Sequence, residues 1–168
     1  MPKTKLAIAA LALLLTAGCA NQAYQPVAPG AVEPTVTVAD SINLVNSKRA
    51  QAFIVQSVDG HRVANSMDAS LNASRNHGAE LTVTKIERQL PLRALRITLE
   101  GRDIAAMPIV ELLGSISGRY HSVEGAVDFM PLADHHYAVV GTLGKESSSI
   151  WIEDTETHEP ATAKVTSK

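Results

Sequence analysis

The sequence has one cysteine and little net charge, and each of these shortages excludes a class of protein or site. A single cysteine among 168 residues excludes an internal disulfide framework and a zinc site built from cysteines. A formal net charge of -2 gives the whole chain no basic footprint for nucleic acid. Hydrophobic residues still make up 45% of the chain, so its main body has enough apolar surface to fold. The length predicts one globular domain.

Long hydrophobic runs are also scarce. The run from Leu6 to Leu15 is only about ten residues long, and a membrane span needs roughly 20. Two lysines precede this run and the small residues 16–18 follow it. This is the layout of a secretory signal, with a positive region, an apolar region and a cleavage site. We therefore predict export of the chain, and the alternative is a buried amino-terminal helix.

The end of this signal, Leu15-Thr16-Ala17-Gly18-Cys19, resembles the lipobox of bacterial lipoproteins. It departs from the family pattern at Thr16, where leucine is commonest. The resemblance implies cleavage between Gly18 and Cys19, and a diacylglycerol and an acyl chain such as palmitate on Cys19. Each buried methylene contributes about 0.8 kcal/mol, so two or three chains give a stable anchor. The alternative is a free thiol behind an ordinary signal peptide.

The same resemblance implies partners and a location. A lipoprotein depends on the lipoprotein processing and sorting machinery. Ala20, in the place of an aspartate after the cysteine, favours the outer membrane in enteric-type sorting. We expect a domain that is lipid-anchored at the outer membrane and faces the periplasm. No cofactor is expected beyond the covalent lipid on Cys19, and no nucleic-acid partner.

Proline content divides the mature chain. Residues 19–46 predict an extended linker because Pro26, Pro29 and Pro34 lie among small and polar residues. At about 3 Å per residue, such a linker would place the domain several nanometres from the membrane. The alternating residues 35–38 could add an edge strand. Residues 47–160 predict the globular domain, and residues 161–168 predict a polar, frayed tail.

Alternating polarity predicts a series of strands in this domain. The run from Ala52 to Val58 ends at Asp59-Gly60, which is typical of a tight hairpin turn. Further alternating segments predict strands over 81–87, 92–100, 123–130, 136–143 and 149–154. Residues 64–79 predict a long loop with a helical turn around 67–71. Apolar residues at helical spacing from Pro108 to Ile116 predict a short helix, with a strand as the alternative.

These elements predict a mainly β fold, an antiparallel β-sandwich of the immunoglobulin/transthyretin-like type with at most one short helix. Four segments of the chain resemble segments of uncharacterised small β-sandwich envelope lipoproteins: Ser57–Gly60, Ser122–Phe129, Tyr137–Val139, and Ile150–Asp154 with the following Thr157. This resemblance implies the same sandwich fold. It implies no activity and no catalytic residue.

The sequence offers no strong pattern for catalysis or metal binding. His135 and His136 form its densest cluster of chemically active side chains, but adjacent strand residues point to opposite faces and no HExxH spacing is present. We predict that both histidines face solvent at a hairpin tip. The serines at 147–149 lack a GxSxG elbow, and the acidic residues 153–159 lack the EF-hand spacing. We therefore predict no metal site, no catalytic residue and no enzyme.

The remaining function classes are binding functions. Trp151 is the only tryptophan, and its position in an alternating strand favours the core over a ligand platform. We expect an envelope lipoprotein that presents a β-sandwich as a binding or scaffold module to a protein partner in the periplasm. The alternative is a lipoprotein that binds a small ligand or a cell-wall glycan. Its ligand loops would include residues 64–79 and 144–149, near Trp151, His135 and His136.

Overall fold

The structure, a computed structural model, describes residues 23–75, 78, 80–107, 114, 118 and 120–167. The predicted signal, Gly18, Cys19 and most of the helix predicted from Pro108 lie outside the described residues. The elements that are described are the strands and the helix β1 (Thr35–Ala39), β2 (Ser41–Asn46), β3 (Arg49–Val58), β4 (His61–Arg62), α1 (Ser66–Ser74), β5 (Glu87–Pro91), β6 (Leu95–Ala105), β7 (Ser122–Phe129), β8 (His136–Thr142), β9 (Ser148–Asp154) and β10 (Val165–Ser167).

The strands form two sheets. Sheet A has the order β10-β9-β8-β1-β5, and sheet B has the order β2-β3-β6-β7 with β4 paired to β3. The mainly β, two-sheet fold predicted from the sequence is confirmed. The described helix α1 lies within residues 64–79, where the sequence predicts a long loop with one helical turn. One pairing departs from the predicted antiparallel arrangement, because β1 and β8 are parallel. These two strands are far apart in the chain, so no hairpin fixes their relative direction.

The main core lies between the two sheets. Alternate residues of β6, Leu95, Ile97 and Leu99, face inward as the period-two pattern predicts. They meet buried side chains of sheet A, including Val139 and Ile152. Asp59 and Gly60, with φ of 49° and 80°, form the predicted turn between β3 and β4. Residues in the left-handed region at both positions match the twist of the hairpin.

A second, smaller core covers the other face of sheet B. Ile42, Ala52 and Ile54 pack there against Met67 of α1 and Leu81 of the segment that follows the helix. Sheet B is therefore buried on both faces, by sheet A and by this third layer. Sheet A has only its inner face in a core cluster of the described residues.

Three buried serines of α1 bind the extended segment 81–86. Their hydroxyl oxygens accept backbone N–H groups at 2.7–2.8 Å, in the pairs Ser74–Thr82, Ser70–Thr84 and Ser66–Ile86. Four helical residues rise about 6.0 Å and two extended residues about 6.6 Å, so the two spacings match. We call this arrangement the serine ladder. The strand predicted over 81–87 is therefore an extended segment bonded to side chains, and β5 begins only at Glu87.

The domain is longer at both ends than the sequence predicts. Strands β1 and β2 lie within residues 19–46, which were assigned to the linker, and β1 is an inner strand between β8 and β5. The reason is burial, because Val36 and Val38 contribute to the main core. At the other end, β10 lies within the predicted frayed tail 161–168 and pairs with β9. Val165 of β10 packs against the core, close to Gly125 of β7.

Residues 24–33, which we call the amino-terminal arm, also contact the domain. The backbone N–H of Tyr24 donates to the carbonyl of Arg62 at 3.2 Å, and the rings of Tyr24 and His61 lie 4.6 Å apart. The segment predicted as a free extended linker is therefore folded back onto the β3–β4 hairpin from Tyr24 onward.

Candidate functional site

Trp151 lies on the outer face of sheet A, away from the core. Its neighbours Ile150 and Ile152 are fully buried in the main core, so the alternation of β9 turns the indole outward. Trp151 is half-buried, which differs from the core position expected for it. The flanking isoleucines were the signal in the sequence that could have predicted this orientation.

Two charged side chains contact the indole of Trp151. Lys164 places its Nζ 3.9 Å from the centroid of the ring, which is a cation–π contact. The indole Nε1 donates to Oε2 of Glu153 at 3.3 Å. Lys164 precedes β10, so the carboxyl-terminal segment positions the side chain that covers part of this aromatic surface.

The rest of the outer face of sheet A consists largely of small and uncharged side chains. The strand register brings Ala138 opposite both Glu153 and Ala39, and Val140 opposite Trp151. Towards β5, hydrogen bonds of 3.0 Å connect Gln89 to Thr35 and Thr37. α1 contacts β2 and β3 and so leaves this face uncovered, whereas the amino-terminal arm borders it at Thr35, Glu87 and Gln89. The face is accessible and slightly acidic at its margins.

The structure separates the two candidate histidines, as the opposite orientation of neighbouring strand residues predicts. His136 is exposed, with its Nδ1 3.8 Å from a carboxylate oxygen of Glu156. His135 is only partly exposed, and its Nδ1 forms a hydrogen bond with Oδ2 of Asp154. The side chain of His135 is 32% exposed, so it reaches solvent as predicted while Asp154 holds its Nδ1. Only His136 belongs to a strand of the sheet that carries Trp151, and three residues of β8 lie between it and Val140, the residue opposite Trp151.

Asp154 fixes the turn that follows β9. Its Oδ1 accepts the backbone N–H groups of Glu156 at 2.9 Å and Thr157 at 3.0 Å. The hydrogen bond from His135, followed by these two N–H groups, lowers the pKa of Asp154 to about 2. The same hydrogen bond raises the pKa of His135 above its ordinary value of 6.5. The His135–Asp154 pair can stabilise this turn. Among the described residues, no group of three side chains that could hold a metal ion is found.

A buried ionic centre was not predicted from the sequence. The carboxylate of Asp40 accepts the N–H groups of Val55 at 3.0 Å and Ser66 at 2.7 Å. Arg88 Nη1 lies 2.8 Å from Oδ1 of Asp40, close enough for an ion pair although it is not aligned as a hydrogen bond. Arg88 Nη2 donates to the carbonyl of Ala64 at 3.2 Å. No local pattern marks this centre, because its members come from distant parts of the chain.

A second buried carboxylate joins β3 and β6. Asp103 is fully buried and accepts from Arg49 at 2.8 Å and from the backbone of His121 at 2.9 Å. A cavity of about 290 Å³ beside it is lined by Glu100 and Glu124, which are directly opposite each other on β6 and β7. Burial raises the pKa of Glu100, while Arg102 opposes that shift. Asp103 and Arg49 connect the two strands, whereas the facing carboxylates of Glu100 and Glu124 repel each other.

Comparisons with protein-family models, with curated proteins and with solved structures found no match to this chain. Among the described residues, no helix has the length and apolar character needed to cross a bilayer. The site must therefore be interpreted from its own geometry.

Proposed function

We propose that this chain is a lipid-anchored envelope protein that binds a protein partner through the outer face of sheet A. The observation that carries the proposal is the unequal covering of the two sheets. Sheet B is buried on both faces, whereas sheet A presents a half-buried tryptophan and a row of small side chains to solvent. Contiguous accessible surfaces of this kind are typical of interaction sites.

The size of the face is suitable for a protein partner. Five strands about 4.8 Å apart, with about five residues each at about 3.3 Å, give an area on the order of 400 Å². Standard interfaces bury about 800 Å² on each partner, so the face with its margins supplies a large share of one. Tryptophan is enriched among the residues that contribute most to binding. Trp151 is therefore the expected anchor of the interface.

The anchor and the location belong to the same proposal. The amino-terminal signal, the lipobox-like segment and Ala20 support lipidation of Cys19, retention at the outer membrane and exposure of the domain to the periplasm. A protein fixed at a membrane meets a partner at high effective concentration, which favours a scaffold role in the envelope.

Photo-crosslinking in cells tests the proposal. A photoreactive amino acid is placed at Thr37 or Val140 on the outer face of sheet A, and at the exposed Asn43 of β2 as the matched control. We expect one protein adduct from Thr37 and Val140, none from Asn43, and less adduct when Cys19→Ser removes the anchor. Adducts of equal yield at all three positions, or none at any, would contradict a partner on this face.

A glycan ligand is the second candidate. The half-buried indole of Trp151 can stack on a sugar ring, and the neighbouring carboxylate of Glu153 can accept hydrogen bonds from the sugar hydroxyls. Binding would displace Lys164 from the ring of Trp151 and change the fluorescence of the chain's one tryptophan. A titration with cell-wall fragments that leaves the emission unchanged would count against this candidate.

A further inference from the structure

Strand β5 is the last strand of sheet A, so only one of its two edges is paired. That edge forms an antiparallel ladder with β1, and the hydrogen bonds just beyond the ends of the ladder fix its phase. The N–H of Leu92 donates to the carbonyl of Pro34 at 3.2 Å, and the N–H of Asp40 donates to the carbonyl of Ile86 at 3.1 Å. In an antiparallel ladder, residues whose backbone groups point to the partner strand alternate with residues whose groups point away. Every second residue counted from Ile86 therefore bonds to β1.

Glu87 and Gln89 have the opposite phase, so their backbone N–H and C=O groups point to the free edge of β5. Among the described residues, none of these four groups has a hydrogen-bond partner. Pro91 is the next residue in this phase, and it has no N–H. Two strand residues span about 6.6 Å, so Glu87 and Gln89 present two donor–acceptor pairs at the spacing that another strand requires. Such an edge is a template for an added strand.

The amino-terminal arm lies along this edge without pairing with it. The arm and the domain enclose a cleft of about 470 Å³, which we call the arm cleft, and its domain wall includes Val63 and residues 86–89. Tyr24 and Pro34 attach the arm at its two ends, and in the described chain no hydrogen bond connects residues 25–33 to the domain. The free edge of β5 therefore borders a cleft whose opposite wall is the arm.

The arm cleft suits a single extended segment. It follows β5 from Ile86 to Gln89, and a space of about 470 Å³ beneath the arm is too small for a second folded domain. The side chains of an added strand would alternate as those of β5 do. The residue opposite the buried Arg88 would point to the inner side, where the buried Val63 lies. The residues opposite Glu87 and Gln89 would point to the outer side, where these two side chains are exposed. An apolar residue between two polar residues fits this alternation.

We propose that the arm cleft receives an extended peptide segment of a partner protein, which joins the free edge of β5 as a further strand of sheet A. The segment exchanges hydrogen bonds with the backbone of Glu87 and Gln89 and places an apolar side chain against Val63. Main-chain hydrogen bonds supply the affinity, as in other cases of strand addition, and the arm covers the bound strand. This inference goes beyond the partner proposed for the outer face of sheet A, and it holds or fails independently of that partner and of the lipid anchor.

Three fluorophore-labelled peptides test the proposal: Gly-Thr-Val-Thr-Gly-amide, the same peptide N-methylated at both threonines, and the same peptide N-methylated at the valine. Fluorescence anisotropy measures their binding to the full chain in a non-ionic detergent, with protein-free micelles as the blank. When the valine lies opposite Arg88, the threonine N–H groups point to β5 and the valine N–H points away. We expect methylation of the threonines to weaken binding at least about tenfold, because two hydrogen bonds are lost, and methylation of the valine to change it little.

A pair of protein variants locates the bound peptide at β5. Gln89→Pro removes one N–H of the free edge and leaves the bonds to β1 intact, because Gln89 has the same phase as the natural Pro91. It also removes the side-chain hydrogen bonds of Gln89 with Thr35 and Thr37, and Gln89→Ala, which removes only these, is the matched control. We expect the unmethylated peptide to bind about fivefold more weakly to Gln89→Pro than to Gln89→Ala. Thermal unfolding checks that both variants are folded.

The proposal is overturned if the unmethylated peptide does not bind at millimolar concentration, if the two methylated peptides bind alike, or if methylation of the valine is the more harmful. This comparison needs no variant, so it decides the matter even if Gln89→Pro does not fold. Equal affinities of folded Gln89→Pro and Gln89→Ala would place the peptide elsewhere and also overturn the proposal. A chain that dimerises, and loses the dimer in Gln89→Pro but not in Gln89→Ala, would assign the edge to a second copy instead.

Discussion

At the scale of single residues, two ion pairs of nearly equal length differ in their surroundings. Asp40 and Arg88 are 2.8 Å apart, and both side chains are buried. Arg96 and Asp128 are 2.7 Å apart, and both are exposed. Removal of Asp40 leaves a buried guanidinium and two backbone N–H groups without their acceptor. We expect Asp40→Ala to lower the free energy of unfolding by about 3–5 kcal/mol, measured by urea denaturation.

The exposed pair supplies the control for this prediction. Asp128→Ala leaves Arg96 in water, where exposed pairs contribute about 0–1 kcal/mol. Equal losses of stability in Asp40→Ala and Asp128→Ala would contradict the role assigned to burial.

The His135–Asp154 pair makes stability depend on pH. The pKa of His135 is raised, so its contribution is complete below 6.5 and is lost as pH rises through the folded-state value. The pKa of Asp154 falls from 3.8 to about 2, so its contribution is complete above 3.8 and is lost as pH falls towards 2. Both contributions are present together between about pH 4 and pH 6.5.

We therefore expect the stability difference between the wild type and His135→Gln to be largest in this window and to decrease on both sides. Thermal unfolding of the two proteins across the pH range measures the difference. His136→Gln is the matched control, because the exposed His136 lies 3.8 Å from Glu156 and should give a small difference at every pH. A pH-independent difference for His135→Gln would rule out the proposed coupling.

At the scale of secondary-structure elements, the serine ladder replaces a strand pairing. Ser70 accepts the N–H of Thr84 at 2.8 Å and is itself fully buried. Alanine is the better helix former, so propensity alone predicts that Ser70→Ala stabilises the chain. We expect the opposite, a loss of about 1–3 kcal/mol in thermal or urea unfolding, because the backbone of Thr84 loses its partner.

The exposed Asn72 of the same helix is the matched control. Asn72→Ala removes no serine hydroxyl of the ladder and should leave stability unchanged or raise it slightly. If Ser70→Ala and Asn72→Ala have the same effect, the hydroxyl contributes nothing and helix propensity alone accounts for both.

These elements also show which features of the fold can be predicted from the sequence and which cannot. The sequence predicts β6 because the apolar Leu95, Ile97 and Leu99 alternate with other residues. It predicts the hairpin because Asp59-Gly60 favours one turn geometry. The segment 81–86 alternates as well, but its hydrogen-bond partners are side chains of a helix, which periodicity cannot reveal. The parallel pairing of β1 with β8 and the Asp40–Arg88 pair depend on residues far apart in the chain. The position of Trp151 was readable from its flanking isoleucines.

At the scale of the whole molecule, the docked arm shortens the proposed tether. With Cys19 lipidated, only four residues lie between the anchor and Tyr24, and the five Cα–Cα steps span at most about 18 Å. A tether that stayed free as far as Pro34 would span about 50 Å. If Cys19 carries the proposed lipid, the contact of Tyr24 with Arg62 would hold the β3–β4 hairpin close to the bilayer, in contrast to the several nanometres expected from a free linker.

Energy transfer to a labelled lipid headgroup measures this distance in reconstituted vesicles. A cysteine introduced at the exposed Ala94 carries the donor near Asp59, because Arg93 bonds to Asp59 at 2.8 Å. The proposed lipid on Cys19 would leave this introduced cysteine as the free thiol for labelling. We expect strong transfer in the otherwise unchanged chain and weaker transfer in Tyr24→Pro, which removes both the ring contact with His61 and the backbone N–H that donates to Arg62, and so lets the domain move away. A donor at Lys48, at the far end of the ten-residue β3 and so about 30 Å from the hairpin, should give weaker transfer than Ala94 in the docked chain. Transfer that is unchanged by Tyr24→Pro would show that the arm does not set the distance, whereas the absence of transfer at both positions would point to a chain without its lipid.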